Sequence, residues 1–160
     1  MLWDVVTLDP WGSPFFRLVA EHAEVFAALP PALHEALVRE YVRGAATRPL
    51  STGALDALVS PWVGTSETRA SFYRQIAALH PEDTGDLASS LDRLRAPVSI
   101  GWGEADLWIP ADQARRLAEQ LPGEVPVTIL RGIGHLTPLE APEALREIVG
   151  RWLGVERAAR

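Results

Sequence analysis

The amino-acid sequence predicts an α/β fold: a few parallel strands with flanking helices, together with a region that is helical throughout. Two observations carry that prediction. Residues after Pro97 run strand, helix, strand, helix, with short β-branched stretches alternating with 3.6-residue periodicity. Residues 13–94, by contrast, read as helix nearly everywhere and are interrupted only at proline and glycine. With 160 residues, 48% of them hydrophobic and 22% charged, the chain suits one globular domain and not a disordered segment.

Taken in order, residues 1–9 (MLWDVVTLD) form an apolar, partly β-branched run that ends at Pro10 and reads as a sheet strand. Residues 10–95 form the helical region. Ser13-Pro14 is an N-cap followed by proline at the first helical position, and Phe15, Leu18, Val19, Phe26 and Leu29 then share one face. Pro30-Pro31 interrupts, and Leu33, Leu37 and Tyr41 make the next stripe before Gly44. Leu55, Leu58 and Val59 follow, with Pro61-Trp62-Val63-Gly64 as a turn. Ser66 caps a helix carrying Phe72, Ile76 and Leu79, which His80-Pro81 ends. Residues 96–160 form the α/β portion. Val98, Ile100 and Trp102 alternate as a strand, and Ala114, Leu117, Ala118 and Leu121 repeat as a helix that Pro122-Gly123 stops. Val127–Leu130 is the next strand, and Pro142 opens a last helix with Leu145, Ile148, Val149 and Trp152 on its apolar stripe. Strands linked through helices in this way lie parallel.

Composition narrows the chemistry. A net charge of −6 argues against a binder of nucleic-acid backbones. No apolar run approaches the roughly 18 residues that a membrane-spanning helix needs. All 15 basic residues are arginine, and with no cysteine there is no disulfide, thiol nucleophile or thiolate zinc site. Met1-Leu2-Trp3-Asp4 lacks the basic start of a secretory leader, so a cytoplasmic location is expected. Gly101-Trp102-Gly103 lacks the third glycine of a dinucleotide-binding turn. His135 has no second histidine nearby and no ligand-spaced carboxylate pair. The expected partner is therefore a small-molecule substrate, with no cofactor, metal, nucleic acid or membrane.

Open parallel sheets bind ligands at the carboxyl ends of their strands. Two loops leave such ends: Gly103–Trp108, which carries Asp106, and Gly132–His135. A histidine acting as general base needs a carboxylate to fix its tautomer and to stabilise the imidazolium, and Asp106 with His135 is that combination. Simpler roles also fit each residue. Asp106 suits capping of the helix that follows, with Glu104 or Asp112 as the working acid, and His135 suits a loop histidine bonded to backbone. His22, His34 and His80 read as packing or helix-end residues, His22 on the apolar stripe of the first helix. Trp11, Trp62 and Trp108 fit an apolar pocket or a buried core.

The segments PVSIGWGEADLWIP, LAEQLPG and GIGHLTPLEAPEALREIVGRWL together resemble the C-terminal portion of the α/β-hydrolase fold family. The likeness covers about residues 97–153. In that family the last two strands deliver the catalytic acid in G-x-x-D-x-x-x-P and the histidine in G-H-x-x-x-x-E-x-P; here these are Gly103–Pro110, with Asp106, and Gly134–Pro142, with His135. The resemblance implies that residues 10–95 are the helical cap and that residues 1–9 are the strand leading into it. Ser71-Phe72-Tyr73-Arg74 is similar to a cap segment of epoxide hydrolases, whose tyrosine donates to the oxirane oxygen; related haloalkane dehalogenases have comparable segments. That likeness implies a substrate-binding role for Tyr73, while packing beside Phe72 and Ile76 is the alternative.

One part of the family pattern is missing: no nucleophile elbow of the G-x-S-x-G type occurs. Gly12-Ser13-Pro14 is a helix start, and Gly64-Thr65-Ser66-Glu67-Thr68 lacks both the second glycine and a preceding strand. The expected function is thus that of a hydrolase fragment acting on a small apolar ester, epoxide or halide through an Asp–His pair. The alternative is a catalytically inactive binding or interaction module derived from a hydrolase half, and whether the chain turns over substrate is left open. Residues 1–9 would also present an unpaired sheet edge, through which the chain is expected to self-associate.

Overall fold

The computed structural model describes residues 1–9 and 11–154. Pro10, read above as the end of the first strand, and residues 155–160 lie outside the described residues. The sheet has three strands in spatial order β1 (Leu2–Trp3), β2 (Ile100–Gly103), β3 (Val127–Leu130), all parallel. Leu2 lies opposite Ile100, and Ile100 opposite Val127. β2 is central and buried at all four positions, so Ile100 and Trp102 alternate with glycines that let the neighbouring segments approach.

Helices α1 (Pro14–Ala27), α2 (Pro31–Arg43), α3 (Thr52–Val63) and α4 (Ser66–Ala77) fill the stretch between β1 and β2. A 3₁₀ turn (Pro81–Thr84), the short α5 (Gly85–Ala88) and a second 3₁₀ turn (Leu91–Arg93) return the chain to the sheet. α6 (Asp112–Gln120) crosses from β2 to β3, and α7 (Thr137–Glu140) and α8 (Pro142–Trp152) follow β3. Capping matches the side chains available: Ser13 Oγ accepts from the Phe16 amide, Ser51 Oγ from that of Ala54, and Thr65 with Thr68 closes a reciprocal box before α4.

Two apolar clusters form. One joins the sheet to α6 through Trp102, Ile100, Leu117, Ala114 and Leu8. The other knits α1–α4 together through Val19, Val38, Val59, Phe72 and Tyr73. Each fully buried aliphatic side chain contributes about 1.5–3 kcal/mol to the fold.

Several elements depart from the sequence expectation. The first strand pairs only at Leu2–Trp3, not over 1–9, because the backbone turns at Asp4 into the left-handed region (φ 44°). α3 continues through Pro61 to Val63 where a turn was expected. Proline there costs only one amide donor near the helix end, and Gly64 follows directly. Leu18 and Leu33, placed on apolar stripes, are 47% and 58% exposed. α1 is interrupted at His22 (φ −136°, ψ 32°), whose ring stands out in solvent instead of on the stripe. His80 is exposed at the start of the first 3₁₀ turn.

Candidate active site

Asp106 and His135 meet above the carboxyl ends of β2 and β3. The loop after β2 is held by the Glu104 amide donating to the Leu130 carbonyl (2.9 Å) and the Ala105 amide to that of Ile133 (2.9 Å). Trp102, in the strand itself, donates its indole N–H to the Ile109 carbonyl (2.9 Å), pinning the far end of the same loop. Asp106 Oδ1 accepts from the amides of Trp108 (2.8 Å) and Ile109 (2.9 Å), and its Oδ2 lies 2.8 Å from His135 Nδ1. The carboxylate is therefore both the local turn anchor and the partner of the imidazole. The competing acids lie elsewhere: Glu104 accepts from the Gly132 amide (3.0 Å), and Asp112 is an exposed residue at the start of α6.

The loop that carries His135 is fixed from a second direction. Glu140 accepts from the amides of Gly134 (3.0 Å) and Thr47 (2.8 Å), and the His135 amide donates to the Ala45 carbonyl (2.8 Å). The segment after α2 is thereby locked to the histidine loop. The ring packs on Trp108 at a centroid distance of 5.0 Å, and Trp108 stacks on Tyr41 at 4.4 Å.

With the Nδ1 proton directed at Asp106, Nε2 is left as the acceptor. Burial of the ring pulls the His135 pKa down. The Asp106 hydrogen bond, the charge of Asp106 and that of Asp4 more than offset this, so the imidazole titrates above its ordinary value. Such a ring takes a proton readily and holds it against a fixed carboxylate, as a general base must. It borders a cavity of about 440 Å³ whose walls are Val6, Trp11, Phe16, Tyr41, Trp108 and Ile109, with Asp4, Asp83 and Ser13 as polar groups.

No protein-family model and no curated protein matches the sequence. Solved structures do match. An α/β-hydrolase fold protein from Burkholderia ambifaria is 38% identical, with a TM-score of 0.85 over 96% of this chain and 55% of its own. This chain has the α/β-hydrolase fold over the stretch it shares with that structure. The same α/β-hydrolase architecture aligns with a thermophilic esterase from Thermogutta terrifontis at 19% identity and TM-score 0.63, over 96% of this chain and 54% of that one. It also aligns with a 2-hydroxy-6-oxo-6-phenylhexa-2,4-dienoate hydrolase from Rhodococcus sp. strain RHA1 at 20% identity and TM-score 0.70, again over 96% and 54%. The chain spans about half the length of the structures it matches.

Within this α/β-hydrolase fold the expected residues fall in different places. Tyr73 is fully buried in the α1–α4 cluster, where its hydroxyl lies 2.8 Å from His34 Nδ1; it is not among the residues that line the His135 cavity. His34 Nε2 donates to the Trp62 carbonyl (3.1 Å), so Nδ1 accepts from the tyrosine, and burial lowers the pKa of this ring. Tyr73→Phe leaves that nitrogen unpaired, and denaturant unfolding should show a loss of about 1–2 kcal/mol. Trp11 and Trp108 line the His135 cavity, while Trp62 lines a neighbouring one of about 520 Å³ beside Phe72 and Leu58.

Sequence reasoning missed Asp4, Thr137 and the role of Glu140. Asp4 accepts from the Gly103 amide (2.9 Å) and the Thr137 hydroxyl (3.0 Å). A carboxylate pair near the histidine was not expected from spacing, yet Asp4, Asp106 and His135 each place a ligand-type atom within 4.8 Å of the others. Of the three, Asp106 and His135 bond each other, while the Asp4 oxygens are taken by Gly103 and Thr137.

Burial raises the Asp4 pKa from 3.8 to about 6, and the nearby Asp106 charge adds to the rise; bonds to Gly103 and Thr137 and the charge of His135 oppose it. Between those two values the folded chain binds more protons than the unfolded chain, so stability falls as pH climbs from about 4 to 6. His135 acts in the same direction: its contribution is complete below 6.5 and is lost as pH rises through its higher folded value. Thermal melts across pH 4–8 should show this decline, with Asp4→Asn flattening its lower part and His135→Gln its upper part.

Proposed function

We propose that Asp106 and His135 form the acid–base pair of a hydrolase acting on a small apolar ester, epoxide or halide, with residues 10–95 as its cap. The observation that carries this reading is the 2.8 Å contact between Asp106 Oδ2 and His135 Nδ1 beside an apolar cavity. His135 Nε2 takes the proton of a serine hydroxyl, or of the water that attacks an ester formed on an aspartate. Asp106 holds the ring in the tautomer that can do so. Among the described residues no serine or aspartate stands on a glycine-flanked strand-to-helix turn, so the reading leaves the attacking oxygen to a group outside them. The proposal extends to a cytoplasmic location and to self-association along the outer edge of β1. A sharp monomeric boundary in sedimentation velocity would overturn the self-association.

The test is hydrolysis of p-nitrophenyl acetate and butyrate, and of a chromogenic epoxide, by the chain combined with a nucleophile-bearing hydrolase half and by the same combination carrying His135→Gln. Turnover that His135→Gln abolishes supports the reading. Turnover indifferent to that change overturns it. Binding of the esters with no turnover favours the inactive binding module.

A further inference from the structure

Asp4 stands where three segments converge. Its amide donates to the Gly101 carbonyl (3.2 Å), which makes it the last residue that β1 ties to β2. Its backbone then adopts φ 44°, a left-handed conformation uncommon outside glycine. That turn brings the side chain over the sheet end. There one oxygen accepts from the Gly103 amide, at the root of the Asp106 loop, and the other from the Thr137 hydroxyl, two residues past His135. Thr137 is fully buried, and its hydroxyl also lies 3.3 Å from the Gly134 carbonyl, in front of the histidine.

We infer that Asp4 is a positioning residue for the Asp106–His135 pair: a second carboxylate that ties the ends of β1 and β2 to the histidine loop and places its charge beside the imidazole. This rests on reading Asp106 and His135 as the acid–base pair. An aspartate that merely closed the sheet end would need only its two hydrogen bonds, and asparagine could make both with Thr137 reoriented. A positioning carboxylate also acts through charge. Asp4 and Asp106 both lie within reach of the ring, so removing either charge lowers the proton affinity of His135. The other titratable groups on this cavity are Asp83, from the first 3₁₀ turn, and Tyr41, from α2; Glu140 is committed to the backbone of Gly134, Thr47 and Arg48.

The experiment is NMR titration of the His135 imidazole nitrogens in the intact chain, in Asp4→Asn and in Asp106→Asn. Asp4→Asn is expected to lower the His135 pKa by about one unit, and Asp106→Asn to lower it as well. A His135 titration unmoved by Asp4→Asn but shifted by Asp106→Asn overturns this inference and leaves the acid–base pair standing. A titration unmoved by both overturns the pair. If Asp4→Asn fails to fold, Thr137→Val serves instead: losing that donor raises the Asp4 pKa, so less negative charge faces the ring while His135 titrates. A lowered His135 pKa in that variant supports the inference, and an unchanged one overturns it.

Discussion

In the enzyme completed by its nucleophile, Asp106→Asn is expected to reduce hydrolytic turnover by about 10³–10⁴-fold while leaving the fold in place, by analogy with the same change in a serine-protease triad. The argument runs through the hydrogen-bond directions at one side chain. Asp106 Oδ1 already accepts from the amides of Trp108 and Ile109, and only an oxygen can take those bonds. An asparagine must therefore keep its oxygen there and turn its NH₂ group toward His135 Nδ1. The ring can meet an NH₂ donor only with a bare Nδ1, which moves its proton to Nε2 and leaves no base facing the cavity. Geometry survives and chemistry does not. Steady-state assays alongside far-ultraviolet circular dichroism separate the two, and a loss smaller than tenfold would assign the acid role to another carboxylate.

That pair was legible in the sequence because each member sits in a short motif at the end of a parallel strand, and parallel strands bring their ends together. What spacing could not supply was Asp4. It meets Asp106 and His135 only after the whole helical region has been traversed, and the first strand read as continuing past it. The strand signal in Val5 and Val6 was real as propensity, but the left-handed turn at Asp4 diverts the chain and turns the carboxylate inward. Tyr73 illustrates the opposite case. A local four-residue likeness implied a substrate contact, with packing as the alternative, and the hydroxyl meets His34 within the helical core. Leu18 and Leu33 show the limit of periodicity: a stripe names a face, and the neighbouring helices decide how much of it is covered.

Gly103→Ala is the substitution expected to cost the fold most for its size. A Cβ on Gly103 would fall well under 3.0 Å from the carbonyl oxygens of Ile133 and Gly134. These are backbone atoms, so no side chain can rotate to make room. The same residue donates its amide to Asp4, and Ala105 beyond it donates to the Ile133 carbonyl. Relief must therefore come from separating the β2 end from the histidine loop, which strains both attachments at once. A stability loss of about 3 kcal/mol is expected, at the upper end of ordinary overpacking. The displacement should also be visible at the site itself, as a broken or weakened Nδ1–H signal of His135 in proton NMR. Gly132, by contrast, tests backbone conformation alone: it lies in the same loop at φ 65° with open space around its Cα. Gly132→Ala should therefore cost about 1 kcal/mol through the left-handed backbone and leave the His135–Asp106 contact intact. If the two alanines prove equally damaging, the close approach of β2 to the histidine loop is not what holds the pair together.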